Sequence, residues 1–497
     1  MLAGVAPFDV LIRGALLLDG SGAPPWRGDL AVRDGRIVAI GDLSAPDLQA
    51  SCEVDAKGLA LAPGFIDVHT HDDLEVLHNP QMLAKLSQGV TTVITGNCGI
   101  SAAPLSFHPA LAAGQQVPDP LNLLGRAGDF QFAGFAAYRA AVTRTVPAVN
   151  VAALVGHTAL RATVMPALDR PATAAEIAAM RLLLEEALAS GALGLSSGLA
   201  YYNASAAPAA ELLVLARALA DTGAVYCTHL RTEFDGILDA LTEAADLGAA
   251  LQVPVVVSHL KCAGVTNWGR SAEVIEFFEK RRQKQQLSCD CYPYAASSST
   301  LDLAQVTADF PIFISWSTPE PAQAGRYLAD IAADWQCSLT DAAKRLLPAG
   351  AVYHGLSEAD VQRFLAYPPS MIGSDGLPCD PKPHPRLWGA FPRVLGHYCR
   401  DQQLFGLAAA VHKMTGLSAQ NFRLSGRGLL REGYQADLVL FDPAQVRDLA
   451  TFSEPVAAAA GICAVYVNGV LSYQQGAATG QRAGQFLSRQ QFTGATT

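Results

Sequence analysis

The sequence predicts an α/β protein built on a TIM-like (β/α)8 barrel. It adds a small β-sandwich domain made from both chain ends and a lid inserted between barrel strands seven and eight. Three observations carry that expectation. Between residues 63 and 424, eight short, mostly apolar segments alternate with Ala- and Leu-rich helical ones, the pattern of parallel strands buried on both faces. Residues 1–62 and 425–480 are instead strand-like runs broken by turn formers. The stretch 299–368 is too long for a strand-to-helix loop and holds helix patterns of its own.

Composition sets the outer bounds. Of 497 residues, 50% are hydrophobic and 16% charged, against roughly 25% charged in an average soluble protein. A large core can be buried, and global disorder is excluded. Lys and Arg number 35 against 45 Asp and Glu, a formal charge of −10 with no basic run, which argues against nucleic acid or an anionic membrane as partner. No window reaches roughly 18 uncharged apolar residues, and Asp9 and Arg13 break the N-terminal apolar run, so a cytoplasmic location is expected. Ten cysteines without a disulfide-scaffold spacing fit a reducing compartment, most of them as small core residues.

Taken in order, the N-terminal strands are expected at Phe8–Ile12, Ala15–Asp19, Asp29–Arg33, Arg36–Gly41 and Glu53–Leu61, with Asp34-Gly35 as a hairpin turn. Barrel strands follow at Phe65–His69, Thr91–Thr95, Asn150–Val155, Leu193–Ser196, Val225–Thr228, Val255–Ser258, Leu287–Asp290 and Ser370–Gly373. Amphipathic spacing places helices at Ala174–Ser190 and Ala209–Thr222, and at Pro321–Trp335 and Leu339–Leu347 in the insertion. The C-terminal sheet is expected at Asp437–Asp442 and Ala464–Asn468, with Asn468-Gly469 as a second hairpin turn. The tail past 475 is expected to be poorly ordered.

In such barrels the side chains that do chemistry come from the C-terminal ends of the strands. Those ends offer His69 and His71, Cys98, His229, His259 and Asp375. The chain has 11 histidines, so four at strand ends is a concentration. Imidazole, thiolate and carboxylate suit zinc, and His69 and His71, alternating along one strand, point the same way. His229 and His259 are one strand-helix unit apart, which puts them on neighbouring strands. Any one of these histidines alone reads equally well as a hydrogen-bonded rim residue; the clustering points to a divalent metal.

The run Pro63-Gly64-Phe65-Ile66-Asp67-Val68-His69-Thr70-His71 resembles the first-strand signature of the amidohydrolase superfamily, and Gly433-Tyr434-Gln435-Ala436-Asp437-Leu438-Val439 resembles its return to the β-sandwich. More narrowly, seven strings resemble the N-acyl-D-amino-acid deacylases, in that family's order and nearly end to end. They are His71-Asp72-Asp73, Gly96-Asn97-Cys98-Gly99, Thr228-His229-Leu230-Arg231-Thr232-Glu233, His259-Leu260-Lys261, Asn267-Trp268-Gly269, Asp290-x-Tyr292-Pro293-Tyr294 and Gly373-Ser374-Asp375-Gly376. The resemblance implies zinc-dependent hydrolysis of N-acyl-D-amino acids to a carboxylate and a free D-amino acid. It implies a tight zinc held by Cys98, His229 and His259, the cysteine bridging where other subfamilies use a carboxylated lysine. A second, more weakly filled site would be completed by His69 and His71, with Asp375 beside them. Lys261, Tyr292 and Arg386 are implied to bind the substrate's α-carboxylate; Tyr201, Ser298 and Tyr353 are implied to line the pocket, Tyr353 from the lid.

The chemistry agrees with that implication. Zinc polarises an amide carbonyl and lowers the pKa of bound water from about 15.7 towards about 7, making metal-bound hydroxide the expected nucleophile. The leaving amine must be protonated, and Asp375 is the expected proton shuttle; on spacing alone it also reads as a turn Asp. Arg231 and Glu233 are expected to pair with each other behind His229. His157 reads either as a residue that supports a metal ligand or contacts substrate or as a rim histidine bonded to backbone, and Trp268 either as pocket floor or as packing. Two other functions stay open. A cyclic-amide hydrolase of the dihydroorotase or hydantoinase type would want a lysine near the fourth strand, where Gly194-Leu195-Ser196-Ser197-Gly198 has none. A catalytically silent barrel acting as a binding protein predicts broken ligands, and none is missing.

Overall fold

The computed structural model describes residues 8–45, 48–107 and 117–489. Eight parallel strands alternate with helices through the middle of the chain: Phe65–Asp67, Val90–Thr95, Asn150–Ala153, Gly194–Gly198, Val225–His229, Val255–Val257, Leu287–Cys291 and Ser370–Ile372. Every residue in them is buried except the partly exposed His229. Burial on both faces is what removes the alternation an antiparallel strand would show.

These strands form two arcs. The short arc orders Asn150–Ala153, Val90–Thr95 and Phe65–Asp67; the long arc runs from Val155–Gly156 through Gly194–Gly198 round to Ser370–Ile372. The third strand therefore serves both arcs and is interrupted only at Leu154, whose N–H bonds Thr95 O at 2.9 Å. At the opposite seam Thr70 bridges Gly376 in parallel. There the Asp375 N–H donates to His69 O at 2.7 Å and the His71 N–H to Gly376 O at 3.0 Å. Ile66, Ile94, Ala152, Val225, Val256 and Met371 pack together between the arcs, so the interior is filled with side chains.

The two chain ends meet in one nine-stranded sheet. Ala60–Pro63 pairs antiparallel with Leu438–Phe441, joining the N-terminal strands to Ile462–Val467 and Val470–Gln474. The strands expected at 8–12 and 15–19 are a single strand, Phe8–Leu17, with a bulge between Ile12 and Ala15. Conversely, the one expected from Glu53 to Leu61 is two, Ala50–Asp55 and Ala60–Pro63, because the chain turns at Gly58 with φ +86°. At the hairpin, Asp34 and Gly35 have φ of +50° and +71°, the left-handed pair that a tight right-twisted turn requires.

Two further expectations are corrected. The tail past 475 is ordered as far as Arg489: the Val151 N–H bonds Gln485 O at 2.9 Å and the Leu487 N–H bonds Val151 O at 2.7 Å. A polar sequence there hides one aromatic anchor, Phe486, packed edge-on against Phe135 and Tyr138. Residues 490–497 lie outside the described residues. In the insertion, the helix expected over Pro321–Trp335 is a 3-10 turn, a short strand Arg326–Tyr327 and a helix Leu328–Asp334. Gly325, at φ +90°, breaks the continuity. The insertion is a four-stranded antiparallel sheet of Ser297–Thr300, Ala349–Tyr353, Ile312–Ser317 and Arg326–Tyr327, covered by helices Leu328–Asp334 and Leu339–Leu346. Among the described residues no helix is long and apolar enough to cross a membrane.

Candidate metal centre

The fold gathers six donors at the C-terminal ends of the parallel strands. His69, His71, Cys98 and Asp375 have ligand atoms all within 4.8 Å of one another, and so do Cys98, His229 and His259. Cys98 belongs to both groups: its Sγ lies 3.2 Å from His69 Nε2 and 3.3 Å from His259 Nε2. Asp375 Oδ1 is 3.2 Å from His71 Nε2 and 3.4 Å from His69 Nε2. Three of the six hold a left-handed backbone that non-glycine residues disfavour, Cys98 at φ +53°, His259 at +35° and Asp375 at +49°. Such strain collects at functional sites, where it aims a side chain the strand would otherwise point elsewhere.

The electrostatics suit a cation. Burial alone would raise the Cys98 thiol, but His69 and His259 beside it pull it well below its ordinary value, so it is a thiolate. Burial lowers His229 and favours its neutral, ligating form. His229 Nδ1 is buried without a hydrogen-bond partner, a costly state that an ion would relieve. For Asp375, burial pushes the carboxyl up, but the Arg386 guanidinium and His69 outweigh it and hold the group well below the carboxylate range. One thiolate, imidazoles and a carboxylate are a donor set that fits zinc.

Around this centre lies a second tier of charge. Arg386, 1% exposed, forms an ion pair through Nη2 with Asp375 Oδ2 at 2.8 Å and donates from the same nitrogen to Ser298 O at 3.2 Å, while its Nε and Nη1 have no partner. The guanidinium lies 4.6 Å over the Tyr292 ring, and Lys261 Nζ is 5.7 Å from the same ring. Burial pushes the Tyr292 phenol up to about 12 against the pull of both cations, and its hydroxyl too is unpartnered. Lys261 donates to Glu233 Oε1 at 2.5 Å and to His259 O at 3.1 Å. Glu233 Oε1 is also 3.0 Å from His259 Nδ1. Burial would raise Glu233, yet Lys261, His229 and His259 hold it at about 2.

A cavity of about 940 Å³ opens on one side of the centre, with His229, His259, Lys261 and Asp375 in its wall. Tyr201, Ser298 and Tyr353 line it as well. The Tyr201 ring is 4.9 Å from the His229 ring, and Ser298 Oγ is buried without a partner. The Tyr353 hydroxyl is engaged with backbone, accepting from the Asp302 N–H at 2.8 Å and donating to Thr300 O at 3.0 Å, so its ring is what the cavity meets. Tyr292 and Arg386 sit behind this wall.

Other residues depart from the sequence reading. Arg231 pairs with Glu243, at 2.8 Å, and not with Glu233; Glu233 turns inward to Lys261 because that amine is buried and needs a counter-charge. His157 faces away from the donors: its Nε2 bonds Glu211 Oε1 at 3.0 Å, beside Arg161. Trp268 is 46% exposed and donates to Gly355 O at 3.1 Å, so it is not a pocket floor. Sequence reasoning missed Asp290, whose Oδ1 is 3.2 Å from His69 Nδ1 and accepts the His259 N–H at 3.0 Å. It also missed Lys85, which is wholly buried beneath the first and eighth strand ends. Asp290 stood inside a quoted motif; nothing marked Lys85.

Comparison with known proteins adds a lineage to this geometry. A family model described as "Amidohydrolase family" matches residues 53–308 and 329–473. The chain is 52% identical over 483 residues to a D-aminoacylase of Alcaligenes xylosoxydans xylosoxydans, covering 97% of this chain and 98% of that one. It is 49% identical to an N-acyl-D-aspartate deacylase of the same organism, over 97% and 95% of the two chains. Among solved structures, the N-acyl-D-glutamate deacylase of Bordetella bronchiseptica, complexed with zinc and a phosphonate mimic of the tetrahedral intermediate, superposes with a TM-score of 0.92. That pair is 46% identical, over 97% of this chain and 100% of that one.

Proposed function

Since the chain belongs to the amidohydrolase family, and within it to the N-acyl-D-amino-acid deacylases, we propose that it is a metal-dependent hydrolase that cleaves N-acyl-D-amino acids to a carboxylate and a free D-amino acid. The observation that carries this reading is the pair of donor groups sharing Cys98, with Asp375 beside the imidazoles of His69 and His71 and paired with Arg386, and a cavity that reaches His229, His259 and Asp375. In this reading zinc is the ion. Cys98, His229 and His259 hold it tightly, and His69 and His71 with Asp375 complete a second, weaker position. Bound there, zinc supplies a Lewis acid for the amide carbonyl and an acidified water.

The remaining work falls to this chain's own side chains. Arg386, with two unpartnered nitrogens, and Lys261, across the Tyr292 ring, receive the α-carboxylate. That contact fixes which face of the amide meets the donors. Asp375 takes the proton of the attacking water at its carboxylate and delivers it to the departing nitrogen. Arg386 keeps Asp375 ionised until then. Tyr201, Ser298 and Tyr353 shape the cavity around the rest of the substrate. Asp290 holds the Nδ1 of His69, and Lys261 with Glu233 holds that of His259, which fixes ring orientation.

The same proposal treats the two arcs as one closed (β/α)8 barrel over residues 63–424, with 1–62 and 425–480 forming the sandwich domain and 299–368 a lid. A cytoplasmic setting accords with ten free cysteines. The test is metal content after dialysis together with amine release from paired D and L N-acetyl substrates. Bound zinc with release from the D series alone is expected. Release from neither series, or from the L series equally, defeats the reading.

A further inference from the structure

Lys85 lies in the short helix Leu83–Leu86, with no exposed surface. Its ammonium donates to Asp67 Oδ2 at 2.8 Å, Thr70 Oγ1 at 2.9 Å and Ser374 Oγ at 3.0 Å, and stands 3.1 Å from Asp72 Oδ2. Asp67 ends the first strand, and Thr70 and Asp72 belong to the turn leaving it; Ser374 belongs to the turn leaving the eighth. The two turns are tied again around that cation. The Ser374 N–H donates to Asp67 Oδ1 at 2.8 Å and its hydroxyl to Asp67 Oδ2 at 2.5 Å, while Ser374 Oγ accepts the Gly376 N–H at 3.1 Å. Between Ser374 and Gly376 sits Asp375, held at φ +49°.

We propose that Lys85 is a positioning residue for the hydrolytic reaction: it fixes the His71–Asp375 contact by clamping the two turns that carry them. These segments are joined by one β-bridge and a few amide bonds, and a left-handed Asp persists only where its surroundings over-determine it. Two buried carboxylates, Asp67 and Asp72, converge on Lys85, so the amine both reaches Ser374 and balances the charge on the first-strand side. Lys85 touches neither the cavity nor any of the six donors; its effect reaches the substrate only through Asp375. The inference rests on the hydrolase reading, and its test therefore includes a measurement that needs no turnover.

Lys85→Met and Ser374→Ala are compared with the parent. The crystal structure of each variant should show Asp375 Oδ1 withdrawn from the 3.2 Å contact with His71, with Cys98, His229 and His259 still converging and zinc content unchanged. In kinetics, kcat should fall roughly 100-fold for Lys85→Met, as displacements of about 1 Å at a reacting group do, with KM within about threefold of the parent. Ser374→Ala removes the clamp while keeping all three charges, and should lower kcat about tenfold, again without a KM change. If Lys85→Met fails to fold, the Ser374→Ala structure and kinetics decide alone. An unmoved Asp375, parental kcat in folded protein, or a rise in KM alone overturns the proposal. A parent that binds zinc but releases no amine defeats the hydrolase reading instead, and the variant structures still judge Lys85.

Discussion

Replacing Arg386 by alanine removes two things at once, and the structure allows them to be separated. One is the 2.8 Å contact that keeps Asp375 charged and in place; every substrate suffers from its loss. The other is the pair of unpartnered nitrogens, Nε and Nη1, proposed above to receive an α-carboxylate; only substrates with that carboxylate suffer from theirs. A hydrogen bond to a charged group contributes about 1.5–3 kcal/mol, and a factor of ten corresponds to about 1.4 kcal/mol. Counting one such bond, the carboxylate-specific part is roughly 10- to 150-fold in kcat/KM. The assay measures kcat/KM of Arg386→Ala and parent on N-acetyl-D-methionine and on N-acetyl-D-methioninamide. The free acid should lose at least about tenfold more than the amide. Equal losses would show that Arg386 serves Asp375 alone and that the carboxylate binds elsewhere.

Three other outcomes are expected. Asp375→Asn should lower kcat by about 10²- to 10⁴-fold while the zinc held by Cys98, His229 and His259, measured by mass spectrometry, is retained; a zinc-free variant would mean that Asp375 is needed to retain that metal. N-acetyl-D-aspartate and N-acetyl-D-glutamate should be turned over more slowly than N-acetyl-D-methionine, because Asp119 and Asp302 stand in the cavity wall, Arg231 is already paired with Glu243, and Lys261 is assigned to the α-carboxylate that every substrate carries. A carboxylate about 10 Å from a like charge costs about 1–2 kcal/mol at an effective dielectric near 20, so the ratio should reach about tenfold, and equal rates contradict the reasoning. Burial raises Asp380 to about 6, against the pull of Ser315, Trp316 and Arg386 nearby. Its folded state thus keeps a proton that the unfolded chain loses near pH 4, so stability falls as pH rises from about 4 to about 6. Asp380→Asn should stabilise the protein at pH 7.5 by about 2–3 kcal/mol and leave it unchanged at pH 3.5. Superimposable urea transitions at pH 7.5 would refute this.

The parallel strands were legible because burial on both faces writes a simple pattern: runs such as Val255–Val257 and Val90–Thr95 carry no solvent-facing positions to confuse the period. The insertion's sheet was not legible. Ser297–Thr300 is all hydroxyl residues, and its strand character comes from pairing with Ala349–Tyr353, which no local signal announces. At the centre, strand-end position was enough to single out the six donors that the fold gathers. The charges behind them were hidden, because Lys85 meets Ser374 across 289 residues and His69 meets Asp290 across 221. Arg231 misled for the related reason that proximity in sequence to Glu233 says nothing about which carboxylate lacks a partner.

The division of the parallel strands into two arcs gives the proposed cation a mechanical duty. Cys98 leaves the short arc, whereas His229 and His259 leave the long one. An ion gripped by all three is a rivet through two plates whose rims are otherwise stitched at Leu154 and at Thr70–Gly376. Chelation should therefore let those rims breathe first, so that amide protons of His71, Leu154 and Asp375 exchange with deuterium before those of the strand interiors. Loss of activity and loss of endurance on demetallation would then share one origin.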